Sequence, residues 1–426
     1  MTSGYPDSYY AATATAWPPH PPLKGDVTTD VCVVGAGYTG LSAAIHLAER
    51  GYSVTLLEAE RVGFGASGRN GGQLGTGHRK DQRALEEKFG REWAHRLWTL
   101  AEDSVATVKG LIADHKIDCD LTPGVIQAAW KAGDIDWMKE EVEHMAKEYG
   151  YEKLEFIPQK DIREQIGTTR YFGGLLDKGA AHLHPLNYAL GIARAAKAKG
   201  VKIYEHTPVT KITDTDPAKV HTAHGAVTAR FVVVATNGYL KKLEPRMARF
   251  IMPINNFIIA TEPLGDDMAR ALIRDNVAVQ DTKFVIDYYR LSPDNRMLFG
   301  GGENYSSKFP RDIAAFVSKP MLRVFPQLAD ARIDYAWGGT LAITMSRMPD
   351  FGRLAPNIVY AQGFSGQGIN MATLAGKLLS EAVAGQAERF DWMSGIKVPT
   401  FPGGTLLRYP GMVAGMLWYA MQDRLP

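Results

Sequence analysis

The chain has 426 residues, 45% of them hydrophobic and 22% charged, and its formal net charge is +2. This is the composition of an ordinary globular protein, its length favours two domains, and its small net charge gives no reason to expect a nucleic acid or an anionic membrane as a partner. The two cysteines, Cys32 and Cys119, form neither a disulfide framework nor a paired-cysteine metal site, so we expect no metal and a reducing, cytoplasmic location.

The first 25 residues are predicted to form an extended arm. Pro18, Pro19, Pro21 and Pro22 punctuate this segment, and proline favours an extended backbone. The segment has no apolar stretch of the kind that a secretory signal needs.

Residues 31–40 form an apolar run that ends in glycines with the spacing G-x-G-x-x-G, at Gly35, Gly37 and Gly40. A helical pattern follows, and a second apolar strand then ends at Glu58. A strand, a tight glycine turn, a helix N-terminus for the phosphates and an acid for the ribose hydroxyls are the parts of a dinucleotide site. Glu58 would also repel a 2′-phosphate, which argues against NADP.

Two further glycine-rich segments favour a flavin dinucleotide over NAD. Residues 63–73 offer many N–H groups and little side-chain bulk, which suits the close approach of a flat ring or a phosphate. Residues 363–368 form a turn before a predicted helix at 369–384, and that helix N-terminus would stabilise negative charge on the pyrimidine end of a reduced flavin. The alternative for this second turn is a plain joint between a strand and a helix.

Helical and strand-rich segments alternate along the rest of the chain. Helical spacing covers 82–116, 134–149 and 185–200, whereas 124–130, 202–205, 209–212, 231–238, 256–261, 284–291 and 358–361 have the pattern of strands. Nucleotide-type segments therefore stand at the start, middle and end of the chain. This order predicts two domains that are threaded through each other.

The most apolar stretch near the C-terminus, residues 411–420, is too short to span a bilayer as a helix. Few basic residues flank it, so we favour docking onto the protein itself or onto a partner subunit over an amphipathic membrane anchor.

Taken together, these motifs resemble FAD-dependent amine oxidases of the D-amino acid oxidase superfamily, and among them the bacterial gamma-glutamylputrescine oxidases. The resemblance runs nearly from end to end and is carried by residues 8–14, 35–40, 65–73, 235–238, 261–264, 289–294 and 363–368. It implies an α/β fold in which a Rossmann-type FAD-binding domain is interleaved with a smaller α+β substrate domain, an antiparallel sheet with flanking helices.

On this basis we assign an N-terminal arm to residues 1–25 and an apolar C-terminal tail to residues 399–426. The FAD-binding domain is expected in 26–95, 156–240 and 340–398, and the substrate domain in 96–155 and 241–339.

The resemblance also implies the contacts of the cofactor. Gly35, Gly37 and Gly40 would hold the pyrophosphate, Glu58 the adenosine ribose, and Val209 the adenine through its backbone. The full set of expected FAD-binding residues is Gly35, Ala36, Gly37, Tyr38, Thr39, Gly40, Glu58, Ala59, Ala66, Ser67, Arg69, Asn70, Gly71, Gly72, Gln73, Val209, Ala235, Thr236, Phe364, Ser365, Gly366, Gln367, Gly368 and Ile369.

Two departures from related families are informative. Some sarcosine oxidases attach FAD through a cysteine shortly before the late glycine turn, but residues 339–350 contain none, so we expect non-covalent FAD. Amino-acid oxidases of the superfamily carry an arginine soon after the position of Trp337, where it grips the α-carboxylate of the substrate. The best alignment places Leu341 there, so an α-amino acid would lose its main anchor, whereas an amine on a longer chain would not.

Three residues are candidates for the substrate site. Strand alternation places Tyr288 and Arg290 on one face. By resemblance Tyr288 faces the substrate, and Arg290 could hold a distal carboxylate such as that of a glutamyl group; the alternative is a half-buried strand tyrosine and a surface arginine. Trp337 could form an aromatic wall or belong to the core.

Three other polar residues have structural interpretations. Arg69 either neutralises a phosphate of the cofactor or pins its own loop, and we prefer the second. His182 and His184 bracket the start of a helix without metal-ligand spacing or a nearby nucleophile, so we interpret them as structural.

We therefore expect an enzyme that oxidises a primary amine to an imine, which hydrolyses to an aldehyde, with O2 as the acceptor and hydrogen peroxide as the product. The alternatives are a D-amino acid or N-methyl-amine dehydrogenase that passes electrons to a quinone or carrier, and a flavoprotein with structural or regulatory FAD. The amine must be neutral to react, and a free alkylamine has a pKa near 10.4. An apolar pocket lowers that pKa, so we expect selection by desolvation together with distal anchoring.

Overall fold

The computed structural model describes residues 4–304, 308–405, 408, 410 and 411. The predicted apolar stretch at 411–420 lies almost wholly outside the described residues. None of the helices that are described is both long enough and apolar enough to cross a membrane.

The described elements alternate along the chain as the sequence pattern indicates. The strands are β1 (Val27–Val34), β2 (Val54–Leu57), β3 (Gln73–Leu74), β4 (Thr122–Ala128), β5 (Leu154–Pro158), β6 (Gly173–His182), β7 (Lys202–Tyr204), β8 (Lys211–Thr213), β9 (Ala218–His221), β10 (Ala226–Val234), β11 (Met252–Thr261), β12 (Ala278–Asp281), β13 (Tyr288–Leu291), β14 (Met297–Asn304), β15 (Ile333–Ile343), β16 (Asp350–Ala355) and β17 (Ile358–Gln362). The helices are α1 (Tyr9–Ala12), α2 (Tyr38–Glu49), α3 (Gln82–Phe89), α4 (Arg91–Asp114), α5 (Asp134–Tyr149), α6 (Gln159–Gln165), α7 (Pro185–Ala198), α8 (Pro245–Ala248), α9 (Asp266–Leu272), α10 (Ile313–Val324), α11 (Gly368–Val383) and α12 (Glu388–Ser394).

The first sheet has the order β16-β17-β10-β1-β2-β7. The five neighbouring strands β17, β10, β1, β2 and β7 run parallel to one another. Parallel strands need both faces covered. Helices α2, α7 and α11 pack on one face, where α11 contacts both α2 and α4. The hairpin of β8 and β9, together with α8, packs against the opposite face. This is the doubly wound arrangement of the expected Rossmann-type domain.

The second sheet has the order β15-β11-β14-β13-β12-β4-β6-β3, with β5 paired to β6. Its pairs are antiparallel except for β12 with β4. Strand alternation divides its two faces: Phe257 and Ile259 of β11 join the core beneath α10, whereas Ile258 and Ala260 belong to the core that the first sheet shares. One face of the second sheet is therefore turned toward the first domain.

The α/β fold with two interleaved units is confirmed, but local limits differ from the prediction. The predicted helix over 82–116 is two helices, because Gly90 adopts a φ of +82° between α3 and α4. The predicted strand over 284–291 begins only at Tyr288. The segment from 156 to 182, assigned to the FAD-binding domain, contributes β6 to the second sheet, because its strand pairs with β4 and β5.

The N-terminal arm is fastened to the first domain by a fully buried carboxylate, Glu205. Its oxygens accept hydrogen bonds from Trp17 Nε1 at 3.0 Å, from the backbone N–H of His20 at 2.8 Å and from that of Val62 at 2.8 Å. Arg61 Nε lies 2.9 Å from the same carboxylate. A buried carboxylate without these donors would be strongly destabilising, so this group ties the arm to the segment that leads into the glycine-rich loop.

Replacing Glu205 by Ala should lower the thermal midpoint of the holoprotein, since removing one partner of a buried ion pair costs about 3–5 kcal/mol. Differential scanning calorimetry measures this. Glu155→Ala is the control, because its pair with Lys178 is exposed and such pairs contribute little. Equal midpoints for the two variants would contradict the role of Glu205.

Candidate active site

A cavity of about 1050 Å³ lies between the glycine-rich segments of the first domain and the second sheet. It is lined by most of the residues that the sequence assigns to the cofactor. The exceptions are Ala36, Gly40 and Gly72, which lie just behind the lining. Neither Cys32 nor Cys119 lines it, and both thiols are buried.

The turn between β1 and α2 forms a close-packed cradle. Gly35 has a φ of +104°, and a Cβ atom on Gly40 would lie 1.8 Å from the Gly35 carbonyl oxygen. Only glycine at position 40 lets the helix approach the strand this closely, so Gly40 sets the distance between α2 and β1 without lining the cavity. A Cβ on Gly37 would meet Ser67 Oγ at 2.9 Å, and that hydroxyl accepts a hydrogen bond from the N–H of Tyr38 at 3.0 Å.

Glu58 lies at the end of β2, beside the segment 207–210 that includes Val209. Its carboxylate accepts hydrogen bonds from the N–H groups of Ala36 at 2.7 Å and Glu60 at 3.0 Å. Burial raises the pKa of this carboxyl above its ordinary value, although the two N–H donors lower it. A carboxylate accepts at about four lone-pair positions, so Glu58 retains acceptor capacity for ribose hydroxyls.

The loop from 64 to 73 is held rigidly between the two domains. The Asn70 side chain donates to the carbonyl oxygens of Ala66 and Ser67 and accepts from the N–H of Gly72. Gln73 reaches the second sheet by donating to the carbonyl of Val279 at 2.8 Å. The loop thus presents its backbone to the cavity in one fixed shape.

Arg69 pins this loop, as we expected. Its Nε donates to the carbonyl of Phe64 at 2.6 Å and its guanidinium lies 4.3 Å from the Phe64 ring centroid. Its Nη1 donates to the carbonyl of Gly338 on β15 at 3.2 Å. The guanidinium therefore joins the loop to the second sheet, and burial lowers its pKa from the ordinary value.

The late turn precedes α11 and closes another side of the cavity. Ser365 and Gly366 adopt φ values of +53° and +100°, and the N–H of Gly363 donates to Asn237 Oδ1 at 2.9 Å. The nearby Thr236 hydroxyl lines the cavity, is buried and has no hydrogen-bond partner among the described residues. A bound dinucleotide would provide that partner, so the residues present fit the group that the sequence implies.

On the opposite side, the second sheet presents a row of side chains to the cavity. Strand pairing aligns Gln127 with Gln280, Gln280 with Tyr288, Tyr288 with Gly300, and Gly300 with Ile258. The Tyr288 ring lies over two glycines, Gly71 and Gly300, since a Cβ on Gly300 would come within 2.1 Å of it. Its hydroxyl donates to Asn256 Oδ1 at 2.5 Å, which fixes the ring at the cavity wall.

Arg290 shares the face of Tyr288, as expected, but it does not line the cavity. It is 2% exposed and donates to the carbonyls of Gly71 and Leu291 and to the Tyr10 hydroxyl. The glycine loop and α1 of the arm cover it. The expectation that Arg290 holds a distal carboxylate therefore needs correction, and so does its alternative as a surface residue.

Trp337 also lies behind the cavity. Its Nε1 donates to the carbonyl of Arg69 at 3.0 Å, and its ring contacts Tyr10 edge to face at 5.2 Å. It is 2% exposed, so it supports the loop from the core and does not form an aromatic wall.

His182 and His184 occupy structural positions near Arg290. Burial, together with the Arg290 charge, lowers the pKa of each to about 3, so both are neutral. His184 Nδ1 accepts from the N–H of Asn187 and caps α7.

Several cavity residues were not found from the sequence. Three of them lie on strands, namely Asn256, Gln127 and Gln280. The sequence does not tell which face of a strand is turned to the cavity until the pairing of the strands is known. Gly300 had a signal: three consecutive glycines within a strand indicate that another group approaches the backbone closely. Further side chains come from the end of β12 and from the segments that follow strands, namely Arg79, Asp281, Thr282, Lys283, Phe284, Ile286 and Arg347.

A buried charge cluster forms part of this wall. Lys283 pairs with Asp281 at 3.1 Å and with Asp287, and it lies 4.3 Å from the Trp130 ring centroid. Burial raises the pKa of both carboxyls above the ordinary value, although the ammonium opposes this. The lysine is therefore already neutralised by its neighbours.

Comparison with known proteins agrees with this geometry. The gamma-glutamylputrescine oxidoreductase of Escherichia coli (strain K12) is 44% identical over 419 residues, which are 98% of this chain and 98% of that protein. A probable oxidoreductase, OrdL, of Rhizobium meliloti (strain 1021) is 40% identical over 425 residues, 100% of this chain and 98% of its own.

Solved structures show the same fold. Glycine oxidase from Geobacillus kaustophilus superposes with a TM-score of 0.72 at 21% identity, over 84% of this chain and 95% of that chain. A family model described as FAD dependent oxidoreductase matches residues 30–382. The chain therefore belongs to this family of FAD-dependent oxidoreductases, the DAO family, and the cavity is the candidate site for its FAD cofactor.

Proposed function

We propose that the protein oxidises a primary amine of the gamma-glutamylputrescine type to an imine, with O2 as the final acceptor. A hydride leaves the carbon next to nitrogen and a proton leaves the nitrogen; water then converts the imine to an aldehyde and ammonia. O2 takes the two electrons with two protons and becomes hydrogen peroxide. The chemistry that bound FAD supplies is the acceptance of the electron pair.

The single observation that carries this proposal is the cavity wall built by Tyr288. Its hydroxyl donates to Asn256, which fixes the phenol oxygen at the wall, and a hydroxyl oxygen is a group that accepts hydrogen bonds from an amine nitrogen. The surrounding wall combines this acceptor with the side-chain amides of Gln127 and Gln280. A donor-rich substrate therefore finds acceptors at a fixed position.

The identity of residue 341 argues against α-amino acids. Leu341 lines the cavity at the position where related amino-acid oxidases carry their carboxylate-binding arginine. A carboxylate placed against leucine would lose its hydration without an ionic partner, which is costly. This supports an amine whose reacting end has no carboxylate, as in the substrate that names the Escherichia coli relative.

Anaerobic addition of candidate amines to the yellow holoprotein tests the proposal directly. Gamma-glutamylputrescine should bleach the flavin absorbance, whereas D-alanine and sarcosine should not. Readmission of air should restore the colour and release hydrogen peroxide, measured by a peroxidase-coupled assay. A flavin that only D-alanine or sarcosine bleaches, or that none of many amines bleaches, would refute the assignment.

Changes at Tyr288 and Gly300 test the wall. Tyr288→Phe should lower the rate of flavin reduction about fivefold, the effect of losing a hydrogen bond worth about 1 kcal/mol. Gly300→Ala should have a larger effect, because the new Cβ must displace the tyrosine ring. Stopped-flow spectrophotometry measures both.

The matched control is Gly110→Ala in α4, where an added Cβ meets nothing within 4 Å. Ala also favours a helix over Gly by about 1 kcal/mol, so this variant should be at least as stable and equally active. Wild-type rates in Gly300→Ala would contradict the placement of the Tyr288 ring.

The pH dependence of flavin reduction tests the desolvation of the amine. If only the neutral amine reacts, the second-order rate constant should rise about tenfold per pH unit between pH 6 and 9, below the amine pKa near 10.4. Rate constants and apparent affinities that are flat from pH 6 to 10 would overturn this expectation.

A further inference from the structure

We propose that Arg347 binds the carboxylate at the distal end of the substrate, the role that Arg290 cannot fill. This inference rests on the proposed function and names the subsite that would separate a glutamylated amine from a simple diamine. It is carried by the position of Arg347 beside Phe284 at the cavity wall and by the apolar side chains that line the same wall.

The guanidinium of Arg347 belongs to the connection that runs from the second sheet to the first, and it lies beside a connection within the second sheet. Arg347 lies between β15 and β16, and its Cζ is 5.7 Å from the ring centroid of Phe284, which lies between β12 and β13. Both residues line the cavity. A guanidinium is always charged and planar, and its N–H groups form the fork that matches a carboxylate.

The backbone of Arg347 is strained. Its φ is +62°, in the left-handed region that residues with a Cβ rarely adopt. Such strain persists where surrounding structure enforces it, and it concentrates at ligand-binding positions. Here the N–H of Arg347 donates to the carbonyl of Thr344 at 3.3 Å, so the turn holds the side chain at the cavity.

Beneath the guanidinium the wall is apolar. Leu341 and Ile343 occur two residues apart on β15 and both line the cavity, together with Phe284 and Ile286. Such a strip suits a chain of methylenes, each of which contributes about 0.8 kcal/mol when it is buried. An apolar strip that leads to a guanidinium matches a long amine with a carboxylate at its far end.

Other cations of the cavity are less suited to this role. Lys283 is held by two carboxylates. Arg79 lies 4.0 Å from a Cβ built on Gly366, on the side of the late cofactor turn, and Arg69 donates to the carbonyls of Phe64 and Gly338. Arg79, Lys80, Lys241 and Lys242 are all exposed. Arg347 is half-buried, and water and salt screen a partly buried charge less than an exposed one.

The test compares ligands that differ by one group. Gamma-glutamylputrescine and glutarylputrescine carry the distal carboxylate, whereas 4-aminobutanoylputrescine lacks only that group. Gamma-glutamylbutylamide keeps the carboxylate but has no terminal amine, so its dissociation constant follows from the change in the flavin spectrum of the holoprotein without turnover.

Arg347→Met should raise the dissociation constant of gamma-glutamylbutylamide about 10- to 100-fold, the range expected for a lost charge-assisted hydrogen bond. The same loss should appear as a weaker apparent affinity for gamma-glutamylputrescine and glutarylputrescine in anaerobic flavin reduction, while the affinity for 4-aminobutanoylputrescine changes little. Arg347→Lys should recover part of the affinity, since lysine supplies the charge without the fork.

Arg353→Met is the matched control. Arg353 also lies over a phenylalanine, 4.9 Å from the Phe390 ring centroid, but it is exposed and outside the cavity lining. Its replacement should leave unchanged the dissociation constant of gamma-glutamylbutylamide and the apparent affinities of the three amines.

The outcomes separate the two proposals. The anchor is overturned, while amine oxidation stands, if Arg347→Met weakens the binding of 4-aminobutanoylputrescine as much as the binding of the ligands with a carboxylate. It is also overturned if the variant weakens the binding of none of them. A wild-type protein whose flavin none of the amines reduces overturns the proposed function and the anchor with it.

Discussion

The placement of the glycine-rich loop from 64 to 73 between the two sheets is the constraint on which the rest of the site depends. Arg69 and Gln73 attach the loop to the second sheet, and Asn70 attaches it to Tyr38 at the start of α2. The loop therefore belongs mechanically to both domains. Because this loop is bonded to both domains and the chain passes repeatedly between them, the cavity wall and the cofactor cradle cannot move independently of each other.

Arg290 shows how a buried charge supports this arrangement. A buried guanidinium is costly unless its donors are satisfied, and here it donates to two carbonyls and a tyrosine hydroxyl. Two of these groups, Gly71 and Tyr10, come from the loop and from the arm. The neighbouring His182 and His184 stay neutral because burial and this cation lower their pKa values. The arm thus contributes to the shape of the cavity from behind, without touching it.

On the cofactor side the sequence signals are local, and most of the residues that they single out line the cavity. Gly35, Gly40 and Glu58 act within one β-α-β unit, and the strand order of that unit is nearly obligatory. The substrate side depends on pairings between strands that are distant in sequence. Alternation correctly placed Tyr288 and Arg290 on one face. Only the register of β13 with β14 and the cover provided by α1 show that Tyr288 lines the cavity whereas Arg290 is buried. Arg347 had no local signal, since the role that we propose for it follows from a turn that brings its guanidinium beside Phe284.

The same division explains how one fold would accept different amines. The cradle contacts are mostly backbone groups held by glycine geometry, which leave little scope for variation. The wall consists of side chains on strand connections, where replacement of one residue changes the substrate without disturbing the sheet. At this wall leucine occupies position 341, where an arginine would grip an α-carboxylate, and an arginine occupies position 347, beyond an apolar strip. If Arg347 is the distal anchor, moving the cation from the reacting end to the far end lengthens the substrate that the site accepts.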